Sequence, residues 1–146
     1  MERRVEVKPI SPQPTLPQPI LPSLERILKL LEEIFPKPED YETNIGETVT
    51  APAYSITTVT WILKKGYRYY ISRIYVDAAP NCTYEWSFPN IIYHDYKTSR
   101  TFEGNTHNFP RRLVAEEGSQ IKLKITNTGA ADQNLDIVVE MWARRV

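Results

Sequence analysis

Proline restricts a chain more than any other residue, and eight of this chain's twelve prolines fall within its first 38 residues. Each holds φ near −65°, donates no main-chain N–H and pushes the residue before it into extended space. The run KPISPQPTLPQPILP carries prolines at positions 9, 12, 14, 17, 19 and 22, so it can be neither helix nor central strand. It is expected as polyproline II, rising about 3.1 Å per residue. Ile10, Leu16, Ile20 and Leu21 punctuate it where a pure spacer would carry Ser, Glu or Lys. A segment stiffened in advance loses little entropy when laid on another surface. Residues 1–22 therefore read as an extended arm that docks, through those four apolar side chains, on its own or a neighbouring subunit. A solvated tail and a ligand for a proline-motif reader are the competing readings.

Residues 23–35 read as a short amphipathic helix. Ser23 is a suitable N-cap and Glu25 a favourable first-turn acid. Leu24, Ile27, Leu28, Leu31, Ile34 and Phe35 recur at three- and four-residue spacing, and Glu25–Lys29 is a correctly oriented i,i+4 pair. Pro36 and Pro38 end the helix and open a linker, 36–46. A helix this short is not stable alone in water, so its stripe must be buried. It caps the chain's own β domain, or it packs on symmetry mates through Leu24, Ile27, Leu31 and Ile34 in an a/d pattern. An acidic polar face argues against a membrane surface. Leu30 falls off the stripe and favours contact on two sides.

From Glu47 onward the composition turns to Thr, Val, Ile, Tyr and Trp, and helical periodicity does not recur. Residues 47–146 are expected as an all-β domain, an antiparallel β-sandwich with the jelly roll of about eight strands as its topology. ETVTA is a short first strand. SITTVTWIL turns at Lys64-Lys65-Gly66 into YRYYISRIYVDA as a hairpin partner. CTYEWSF alternates, with Cys82, Tyr84, Trp86 and Phe88 on one face, until Pro89-Asn90 breaks it. QIKLKIT and LDIVVEMW alternate too, through Ile121, Leu123 and Ile125 and through Leu135, Ile137, Val139 and Met141, and read as antiparallel neighbours. Tyr70 and its odd-numbered neighbours cannot all enter one core. Tyr70 and Trp142 are thus the candidates for exposed aromatic surface.

Lys+Arg and Asp+Glu balance at 18 each, which lacks the basic excess that nucleic-acid binding needs. Cys82 is the only cysteine, so neither a disulfide framework nor a cysteine-based zinc site is expected. The amino terminus carries no apolar signal core, and no run approaches the length of a membrane span, so a soluble, cytoplasmic chain is expected. His94 and His107 are the only histidines. With Asp95 or Glu103 they lack the spacing of a metal site. No nucleophile elbow accompanies Ser87 or Ser99, and the five glycines form no phosphate cradle. Neither catalysis nor a cofactor is expected.

The hairpin segment WILKKGYRYYISRIYVDA, followed by VAEEGSQIKLKITNTGAADQNLDIVVEMW, resembles the small β-sandwich domains of virion structural proteins over residues 57–146. The proline-rich arm is similar in kind to those with which head-decoration and capsid proteins clasp adjacent subunits. The resemblance implies a non-enzymatic, trimeric, cement-like role on a capsid lattice at the virion surface. A carbohydrate-binding or receptor-binding module is the rival, with Trp61, Trp86 and Trp142 as a stacking platform. Trp61 and Trp86 sit in strand interiors, however, where core packing is the ordinary reading, and Trp142 is the best candidate for an open ring. A sugar module has no need of an apolar, proline-stiffened arm.

Overall fold

A computed structural model describes residues 20–37, 40–93 and 96–146. Ile10 and Leu16 lie outside the described residues, as do His94 and Asp95. Helix α1 spans Ile20–Ile34, so it begins before the expected Ser23 cap and takes in Pro22. Proline is tolerated there because N–H groups of a first helical turn have no intrahelical acceptor. Ile20 and Leu21 open the helix rather than closing an arm; their side chains are not among those described.

Among the described residues nine antiparallel strands follow: β1 (Tyr41–Glu42), β2 (Ile45–Ala51), β3 (Ser55–Ile62), β4 (Tyr67–Val76), β5 (Cys82–Tyr93), β6 (Tyr96–Glu103), β7 (Thr106–Ala115), β8 (Gln120–Asn127) and β9 (Gln133–Arg145). The expected linker is thus partly strand, with β1 and β2 laid end to end along β9. One sheet runs β2-β9-β4-β7 and the other β3-β8-β5-β6. A short β5–β7 pairing, Ile91 with Ala115 and Ile92 with Val114, stitches them at one corner. Of the consecutive strands from β2 to β9, only β5 and β6 pair as a hairpin; the others cross between sheets. This is a jelly roll.

Two pairings expected from the sequence are therefore corrected. β3 pairs with β8 and not with β4, while β4 lies between β7 and β9. β8 and β9 sit in opposite sheets. Gly66, at φ 88°, supplies a left-handed turn open to glycine where the chain leaves one sheet for the other. The expected break at Pro89 is instead a register shift within β5, between Phe88 and Ile91. Such a bulge suits a residue with no N–H for the ladder.

The alternation read from the sequence fills the core. Trp86, Phe88, Leu123 and Ile125 from one sheet meet Ile71, Ile74, Ile137 and Val139 from the other, all fully buried. Trp61 stacks on Trp86 with ring centroids 6.3 Å apart and donates Nε1–H to Glu47 Oε1 at 3.1 Å. Asn127 ends β8 in the interior. Its Nδ2 donates to the carbonyls of Ala51 (3.0 Å) and Ala131 (2.9 Å), and its Oδ1 accepts from the Gly129 N–H (2.9 Å).

Candidate interaction surface

Tyr70 and Trp142 face each other in register across β4 and β9, and Val114 of β7 is the next partner of Tyr70. Strand alternation sends these residues away from the main core while Tyr69 and Ile71 enter it. The two rings stack at 3.9 Å between centroids and 9° between planes. The Arg144 guanidinium lies 5.1 Å from the Tyr70 ring and 4.9 Å from the Trp142 ring, within cation–π range. The Asp40 carboxylate accepts from Arg144 Nε at 3.0 Å and Nη2 at 2.9 Å. This is a bidentate fork that only arginine can supply.

The expectation of exposed aromatic surface is corrected here. Tyr70 and Trp142 lie outside the main core, yet only 4% and 6% of each is accessible. Mutual stacking, Val114, Ile92 and the Arg144 fork close them in. Burial pushes the Asp40 carboxyl up. The Arg144 hydrogen bond, the Lys37 N–H and the charges of Arg144 and Lys37 outweigh it and hold the group below its ordinary range. This fork clamps residues 40–44 onto the sheet, aided by the Thr43 N–H donating to the Met141 carbonyl (3.1 Å) and the Met141 N–H donating to Asn44 Oδ1 (3.0 Å).

The Lys37 N–H, just past the helix, also donates to the Asp40 carboxylate, and α1 lies beside β7. Leu30 and Ile34, one turn apart, are its half-buried apolar residues. Leu30, off the stripe in sequence, thus belongs to the side that meets the chain's own domain. Ile34, a member of the stripe read from the sequence, is half-buried like Leu30. Leu24, Ile27, Leu28, Leu31 and Phe35 form a second stripe, each 43–62% exposed. With i, i+3, i+4, i+7 spacing they make one continuous apolar strip along the outer side of the helix.

Away from the helix, the half-buried His107 ring packs on Phe102, with centroids 5.4 Å apart. Cys82 is a free, half-buried thiol. Tyr75 donates its hydroxyl to Asp77 at 2.6 Å, and Asp77 also accepts from the Asp136 N–H. That pair of bonds lowers the Asp77 pKa, and the bond to Asp77 raises that of Tyr75. Among the described residues no group of three His, Cys, Asp or Glu side chains is placed to hold a metal ion. No helix among them is long and apolar enough to cross a membrane.

Fold and surface together define an antiparallel jelly roll carrying an amphipathic helix whose greasier side faces outward. The chain matches no protein-family model and no curated protein. The clamp that orients the helix had no signal in the sequence, because Asp40 and Arg144 stand 104 positions apart. The exposed isoleucines of β3, Ile56 and Ile62, were also missed. Their signal was available: they alternate with Val59 and Trp61, so one set or the other had to face outward.

Proposed function

We propose that the protein is a non-enzymatic structural subunit that self-associates as a trimer and reinforces a larger assembly. Association runs through the outer stripe of α1 together with the proline-rich arm. A viral capsid surface is the setting that the resemblance to virion proteins implies. The single observation that carries the reading is the strip Leu24, Ile27, Leu28, Leu31 and Phe35, left open on a helix already anchored by Leu30, Ile34 and the Asp40–Arg144 fork. Full burial of such a side chain stabilises by about 1.5–3 kcal/mol, so each half-exposed residue has about 1 kcal/mol left to gain. Five of them on every protomer give association a driving force that a tethering helix would not need.

The sugar-binding alternative draws little support. Trp86 and Trp142 are buried and Trp61 is half-buried against Trp86, so the expected stacking platform has no open tryptophan face.

Leu31→Asp tests the proposal. The residue is 43% exposed, so the monomer tolerates the charge, whereas an apolar interface does not. Sedimentation velocity and light scattering on the full chain are expected to show loss of the trimer, with a lower mass than the wild type and an unchanged far-UV spectrum. A Leu31→Asp protein with the mass of the wild type overturns the reading.

A further inference from the structure

Unpaired strand edges invite pairing with other chains, and natural sheets blunt them with charge, proline or bulges. The outer strands here follow that rule with one exception. β6 carries Lys97, Arg100 and Glu103; β7 carries Pro110, Arg111 and Arg112; β1 carries Glu42 and β2 carries Glu47. β3 reads SITTVTWI, with neither charge nor proline, and among the described residues it pairs only with β8. Ile56 and Ile62 on it are 67% and 72% exposed.

The direction of the free main-chain groups follows from one bond. Leu63, just past the strand, donates its N–H to the Ser119 carbonyl at 2.8 Å, continuing the ladder toward β8. Main-chain groups alternate sides along a strand. The N–H and C=O of Ile56, Thr58, Thr60 and Ile62 therefore point to the open edge.

We propose that this edge pairs antiparallel with the same edge of a second copy of the chain, about a two-fold axis at Val59. The proposal is independent of the helical stripe. The segment ITTVTWI is self-complementary about its centre: Ile56 meets the other copy's Ile62, and Thr58 meets its Thr60. Both pairs join residues whose polar groups face the edge, so this register satisfies about eight main-chain hydrogen bonds. Apolar side chains meet apolar ones and threonine meets threonine on a single face. The ends are complementary in charge. Lys64 and Lys65 of one copy come to the Ala53 end of the other, where the Asp132 carboxylate accepts the Ala53 N–H at 2.9 Å. An interface in which one patch meets itself is the isologous contact of a two-fold dimer.

Thr60→Pro is the direct test. It deletes an N–H that the monomer leaves unused and that the dimer needs. Ile62→Lys leaves the backbone intact and serves if the proline variant does not fold. In a Leu31→Asp background, which removes the helical contact, the edge alone is expected to leave a dimer by sedimentation. Adding Thr60→Pro or Ile62→Lys is expected to halve that mass. If Leu31→Asp does not change the mass, the helical reading fails, and the edge is tested by either variant alone against the wild type. Amide exchange gives an independent readout, with the Thr58 and Thr60 N–H groups protected only as concentration rises. A dimer that survives both edge variants, a Leu31→Asp protein that is monomeric at its highest soluble concentration, or unprotected Thr58 and Thr60 amides overturns the proposal.

Discussion

Replacing Asp40 with alanine should do more than remove a surface ion pair. The Asp40 side chain is fully inaccessible and that of Arg144 is 14% exposed. The fork between them also presses the guanidinium onto the Tyr70–Trp142 stack. Deleting one member of a fully buried pair costs about 3–5 kcal/mol because the other charge is stranded. Water reaching Arg144 reduces this, and we expect about 2–3 kcal/mol for Asp40→Ala. At about 2–4 °C per kcal/mol for a domain of this size, the melting temperature falls by about 5–10 °C. Arg144→Met tests the coupling, since it deletes the charge but keeps an apolar cover on the rings. In a double-mutant cycle the two changes should be non-additive by about 1–3 kcal/mol. The effect also has a defined pH dependence. The carboxyl titrates lower in the folded chain than in the unfolded one. Its contribution is thus complete above the unfolded carboxylate pKa of about 3.9 and is lost as pH falls through the lowered folded value. The wild-type advantage over Asp40→Ala should therefore shrink in acid and stay constant near neutrality. Additivity within about 0.5 kcal/mol, or an advantage that grows as pH falls, would refute the account of residues 40–44 as clamped by charge.

Two further substitutions probe the jelly roll itself. Asn127→Ala strips three hydrogen bonds from the end of β8 and leaves the Ala51 and Ala131 carbonyls and the Gly129 N–H without their partner; chemical denaturation should register a loss of about 2–4 kcal/mol. Gly66→Ala meets open space, but its φ of 88° disfavours a Cβ, so a loss of about 1 kcal/mol is expected without any change in association.

What could be read in advance was the facing of side chains. Cys82 apart, the inward members of CTYEWSF, QIKLKIT and LDIVVEMW are the buried ones, because a two-residue period needs only the strand itself. Partnership needs more. Alternation is the same whether β8 pairs with β9 or with β3 and β5, so the choice rests on how loops such as 63–66 cross between sheets. The Glu117 carboxylate accepting the Gly66 N–H at 2.6 Å is a contact that adjacency in sequence cannot announce. The helix was legible as an element, yet its start was not, since Pro22 fits a first turn as readily as it ends an extended arm. Leu30 carried the one local hint of how the helix would lie.

The exposed stripe of α1 and the bare edge of β3 are set on different sheets, the first beside β7 and the second at the far margin beyond β8. Occupying one leaves the other free. Their separation changes what association can build. A three-fold contact at the helix gives a closed trimer, and a two-fold contact at the edge gives a closed dimer. Joined in one chain, the two contacts link trimers to one another, as a closed hexamer where the two-fold axis crosses the three-fold at a right angle and as a larger net or shell at other angles. On these two proposals, removing the helical contact is expected to leave dimers and removing the edge contact to leave trimers.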